Sequence, residues 1–184
     1  ALLAAYESDY DPRYLSRASA FAKRAIRLFY RQGEWYLDSG ALHTPARGAD
    51  RQYSAALGVM LDGILTLSLL NGDLEMASLV RRSLRRKKGE LASDPWRYAT
   101  LMRVFLRQEA GTILLESTRR NLQKVRMRIE EIGYPYLVTK AVSLQGWSAC
   151  RIGSCFAGGA GLDQVAERIR AEKQGLWSRQ GPAG

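Results

Sequence analysis

YSAALGVMLDGILTLSLLN, residues 53–71, is the longest apolar stretch in the chain, and its reading decides the fold. Leu57, Met60, Leu61, Ile64, Leu65 and Leu69 recur at the three- and four-residue spacings of a helix, with Val59, Leu67 and Leu70 on the flanks. A helix that is apolar on nearly every side has to be buried. Ser54 is of the type that caps helix N-termini, and Asn71-Gly72 is the kind of pair on which helices end in the left-handed conformation. Asp62 interrupts the run, which is shorter than the roughly 20 residues a bilayer requires. The stretch therefore predicts a core helix rather than a membrane span, packed among the other helices of the chain.

Upstream, ALLAAYESDY begins on what reads as the end of a helix, so a cut inside a longer protein is expected. Asp11-Pro12 supplies an N-cap and a first-turn proline, and Leu15, Ala18, Phe21, Ala22, Ala25 and Leu28 mark an amphipathic helix running to about Arg31. Glu34 to Leu37 alternates like a short strand or extended turn, and residues 38–52 form a polar loop. Downstream, Asp73 caps a helix over LEMASLVRRSLRRKKGEL, which carries six cations between Arg81 and Lys88. Those cations are either a solvated helix face, favoured near a C-terminus by the helix dipole, or a contact for phosphates. Asp94-Pro95 opens a further helix with Trp96, Ala99, Met102, Phe105 and Leu106 expected inward.

Beyond Gly111 the apolar period changes. TILLE (112–116) has strand length, residues 118–132 are helical with Leu122, Val125, Ile129 and Ile132 inward, and PYLVTKAV (135–142) reads as a second strand, which makes a small strand-helix-strand element. SLQGWSACRIGSCFAGGAG reads as turn-rich, and a last helix starts near Leu162. The organisation expected is a mainly α chain: a helical-hairpin domain over 1–110, a small α/β module over 111–173, and a tail over 174–184 too rich in Gly and Pro to be ordered.

Composition narrows the setting. In 184 residues there are 28 Lys and Arg against 18 Asp and Glu, a formal charge of +10, which raises the question of an anionic partner. A base-reading element is missing and no aromatics interleave with the basic run, so only non-specific nucleic-acid binding is expected. Two cysteines do not make a disulfide-stapled scaffold, and the N-terminus lacks a signal-peptide pattern, so the expected setting is cytoplasmic, with no membrane association. His43 is the sole histidine, and with two cysteines it leaves a four-ligand Cys/His zinc site one donor short; no metal and no cofactor are expected.

Four segments, in order, resemble the C-terminal part of the thioredoxin-domain proteins related to spermatogenesis-associated protein 20. These are AAYESDYDPRYLSRASAFAKRAIRLFYRQGEWYLDS, then ADRQYSAALGVMLDGILTLSLLNGD, then TILLE after the helix that follows Pro95, and lastly CRIGSC before the final helix. The resemblance covers roughly residues 1–172. It implies a partial α/α toroid of helical hairpins, related to sugar epimerases and six-hairpin glycosidases, after a thioredoxin-like domain lying upstream. Any epimerase- or glycosidase-like, carbohydrate-processing activity would then belong to the full-length protein. Before the core helix the family has Pro-Ser-Gly-Asn where this chain has Tyr53, Ser54, Ala55 and Ala56.

Two sets of site candidates follow. For acid–base work on a small sugar-like ligand they are Asp38 and Asp50, with Glu34 and Asp62 as further carboxylates; Trp35 and Tyr36 could stack on a sugar ring, and His43 and Ser54 could bind it. Each could equally be an exposed loop residue or a cap, and Asp62 could pair with an arginine. Cys150 and Cys155 form the second set. Five helical steps would leave them on different sides, so a disulfide needs a turn, which Gly153 permits. They are read either as reduced thiols packed beside a strand end or as a redox pair able to exchange with a thioredoxin-like domain, with Cys150 expected buried and Cys155 accessible.

Overall fold

A computed structural model describes residues 1–40 and 44–178 and divides the chain into two units. The first holds Ala1–Tyr6 and Asp11–Glu109; the second holds Glu7–Tyr10 and the chain from Ala110 onward.

In the first unit, α2 (Pro12–Phe29) follows a short α1 (Leu2–Asp9) and starts as the sequence indicates: Asp11 accepts a hydrogen bond from the Arg13 N–H and Pro12 takes the first turn. It hands over to a hairpin of β1 (Tyr30–Arg31) and β2 (Glu34–Trp35). The two turn residues, Gln32 and Gly33, both have positive φ, 51° and 84°, the backbone that matches the twist of paired strands. The core helix is α3 (Ala56–Asn71), with Leu61 fully buried and Leu65 9% exposed. Gly72 closes it in the left-handed conformation, and Asp73 caps α4 (Leu74–Arg86) by accepting from the Met76 N–H. A break at Lys87 separates α4 from α5 (Lys88–Ser93), and α6 (Ala99–Ala110) completes the unit. Ile64, Val80, Leu84, Leu101 and Val104 pack with Leu61 into one core.

Two expectations need correcting here, and for Asp62 the arginine-pair alternative holds. Ser54 does not cap α3: the N-cap position is Ala55, which has no capping side chain, and its N–H is taken by Asp50 instead. Asp94 accepts from the Arg97 N–H in a turn, so α6 begins later than Pro95 and Trp96 is 89% exposed rather than inward. Asp62 is an ion-pair residue, held by Arg103 and Arg107 of α6.

At Gly58 α3 packs against Thr100 and Leu101 of α6. A methyl group there would stand 2.7 Å from Thr100 Cγ2 and 3.2 Å from the Leu101 backbone nitrogen. Gly58→Ala is therefore expected to lower stability by about 1–3 kcal/mol through overpacking, against the usual gain for Gly→Ala in a helix. Urea unfolding of the variant beside wild type checks the sign.

The second unit is a mixed four-stranded sheet in the order β4-β3-β5-β6. Its strands are β3 (Ile113–Ser117), β4 (Leu137–Ala141), β5 (Trp147–Arg151) and β6 (Ser154–Gly159). Parallel pairing of β3 with β4 through α7 (Arg119–Lys124) and α8 (Arg126–Glu130) gives the strand-helix-strand element that the sequence predicts. The segment read as turn-rich is instead the antiparallel β5–β6 hairpin, because Gly153, with φ at 85°, makes a two-residue turn with Ile152. Two glycines end β6, which hid its strand character. Helix α9 (Leu162–Ser178) buries Val165 and Ile169 and pairs Glu172 with Arg151 of β5. It runs through 174–178, which the sequence assigns to a disordered tail. No described helix is long and apolar enough to cross a membrane.

Candidate redox site on the mixed sheet

Strand register determines what surrounds the cysteines. Side chains alternate across the sheet, so Ala149 and Arg151 lie on the α9 face, marked by the Arg151–Glu172 pair, while Ser148 and Cys150 lie on the other. On that opposite face Glu116 of β3 stands level with Ser148 of β5 and Lys140 of β4, and Cys150 stands level with Leu114. The hairpin turn then brings Cys155 of β6 directly across from Cys150.

The two cysteines form a disulfide, with Cα atoms 3.7 Å apart, closer than the roughly 4.4–6.8 Å usual for a bridge. Cys150 is 5% exposed and Cys155 is exposed, the asymmetry expected from their positions. The Cys150 sulfur lies 3.7 Å from Glu116 Oε2, which also accepts from the Ser148 hydroxyl at 3.2 Å, while the Lys140 ammonium is 3.7 Å from Glu116 Oε1. Glu116, Cys150 and Cys155 offer donor atoms within 4.8 Å of one another. Joined sulfurs present no thiolate to a cation, so this trio could hold a metal only after reduction. Glu116, Ser148 and Lys140 were not recognised as site residues from sequence. The signal is present in TILLE, where the alternation puts Glu116 on the face of Leu114, but its partner strand β5 lies in the segment that reads as turn-rich.

The carbohydrate candidates are placed differently. Trp35 is 4% exposed, tilts against Tyr30 with ring centroids 5.1 Å apart, and donates its indole N–H to Ser83 Oγ at 2.9 Å, so no face is left for a sugar. Tyr36 is half-buried, donates its backbone N–H to the Phe29 carbonyl and forms a bridge with Pro45. Asp38 accepts from the Gly40 and Thr44 N–H groups. Asp50 accepts from the Ala55 N–H at 2.6 Å, and from the N–H and hydroxyl of Thr100, each at 2.7 Å. Partial burial alone would raise its pKa, but these three hydrogen bonds outweigh it and hold the carboxyl below its ordinary value. Both carboxylates are thus engaged by backbone N–H groups, and Asp50 by the Thr100 hydroxyl as well. Ser54 is exposed, Glu34 pairs with Arg86, and His43 lies outside the described residues.

No family model matches the chain, and no curated protein matches it. Function has to be argued from this geometry.

Proposed function

We propose that the chain is a thiol–disulfide exchange module, in which a dithiol partner of the thioredoxin-like kind opens and re-forms the Cys150–Cys155 bond. The observation that carries the reading is the asymmetry of the bridge: one cysteine exposed at a hairpin, the other buried beside a carboxylate. A partner thiolate attacks Cys155 Sγ, a new S–S bond forms to the partner, and the electron pair of the broken bond goes to the Cys150 sulfur. That sulfur takes a proton, and the resulting S–H can donate to Glu116 Oε2. The partner's second thiol loses its proton, attacks the partner's own sulfur in the mixed disulfide, and releases Cys155 as thiolate. Two electrons reach this chain and the partner ends as a disulfide. Glu116 favours the protonated form of Cys150, which leaves Cys155 as the nucleophile for the return reaction.

The resemblance supplies the partner class, an upstream thioredoxin-like domain. With it goes the reading of the helical unit as part of an α/α toroid, supported by α3 and α4 joined across only Gly72 and Asp73.

Exchange is tested by reducing the chain with a dithiol, alkylating for increasing times and locating the labels by mass spectrometry. The expected result is two labels after reduction and none after mild oxidation, with Cys155 labelled first. Full labelling of both cysteines after oxidation would overturn the proposal, as would preferential labelling of Cys150.

A further inference from the structure

The basic run resolves into two sets. Arg82 hydrogen-bonds Ser78, Arg86 pairs with Glu34 and donates to the Gln32 carbonyl, and Lys87 pairs with Glu90. Arg81, Arg85 and Lys88, each about one turn from the next, have no carboxylate in ion-pairing range among the described residues. All three line one cavity of about 270 Å³ between α4–α5 and α6. Leu84 and Phe105 contribute apolar surface to it, and Gln108 and Glu109 complete the wall.

Three cations against the Glu109 carboxylate leave a net charge of +2 on the lining, which matches a phosphomonoester, whose charge near neutral pH is about −1.5 to −2.

From these features we infer that the cavity is a binding site for a small phosphomonoester whose body has an apolar side. The phosphate sits among Arg81, Arg85 and Lys88, and the apolar side of the body lies on Phe105 and Leu84. A free volume of 270 Å³ suits a ligand the size of a hexose phosphate and excludes a folded macromolecule. The site is separate from the thiol chemistry, and neither proposal depends on the other.

Calorimetric titration of the full chain with glucose 6-phosphate, glucose and inorganic phosphate tests it. Glucose 6-phosphate should bind at least about tenfold more tightly than inorganic phosphate, and glucose should give no measurable heat. Arg81→Ala with Arg85→Ala should weaken the phosphate ester about tenfold or more, whereas Arg82→Ala, in the paired set, should leave it unchanged. Equal binding of the two phosphates would overturn the inference. So would equal losses from Arg82→Ala and the Arg81/Arg85 pair, which mark a diffuse polyanion surface.

Discussion

Leu61→Ala is expected to destabilise the helical unit by about 2–5 kcal/mol, the range for truncating a fully buried leucine where the surroundings cannot collapse into the space. Leu61 is 0% exposed at the middle of α3, in a core shared with Ile64, Val80 and Leu101 from three helices. Those neighbours are held by their own helices and cannot all move into one hole. Val59, on the same helix but 53% exposed, is the control, and Val59→Ala should stay within about 0.5 kcal/mol of wild type. Urea unfolding followed by far-ultraviolet circular dichroism compares the two. A loss under about 1 kcal/mol for Leu61→Ala would mean that α3 is not the centre of the core.

The second large effect is expected at Asp50, a residue whose type suggests catalysis and whose contacts assign it to architecture. One carboxylate receives the N–H of Ala55, at the start of α3, and the N–H and hydroxyl of Thr100, at the start of α6. Helix N-termini carry unpaired N–H groups and partial positive charge, and here a single anion serves two of them. Asp50→Ala should cost about 2–4 kcal/mol, since hydrogen bonds to a charged group are lost and partly buried donors are left unmet. The loss should depend on pH. A lowered folded pKa means that the carboxyl's contribution is complete above its ordinary value of 3.8 and is lost as the pH falls from there through the folded value. The difference between wild type and Asp50→Ala should therefore be full near neutrality and shrink as the pH falls below 3.8. A difference that stays constant down to acid would rule out the carboxylate as its source.

These two residues also show what the chain made legible. Leu61 could be read because a 3.6-residue period is local: about five turns of apolar spacing need no knowledge of the partner. The same holds for Asp11-Pro12, Gly72 and Asp73, each of which caps through neighbours a few residues away. Asp50 could not be read, since its partners at 55 and 100 belong to two different helices and only folding brings them together. Trp35 misled for a related reason. An aromatic beside a polar loop looks available until Ser83, 48 positions later, accepts its indole hydrogen. At the candidate redox site the cysteines and their unequal exposure were legible from the approaching helix and the intervening Gly153, while Glu116 required the register of β3 against β5.

The β5–β6 hairpin has a further consequence for how the chain reaches its native state. Cys150 and Cys155 face one another across a two-residue turn, so their encounter depends on the local chain alone. Hairpins close in about 1–10 μs, whereas β3 finds β4 only once the whole α7–α8 crossover has formed and packed. When the whole chain refolds, the thiols therefore meet before the sheet that shelters Cys150 is assembled, and an oxidant present at that stage finds both sulfurs open. Oxidation at that stage would fasten the outer edge of the sheet first and leave β3 to dock onto a finished ribbon.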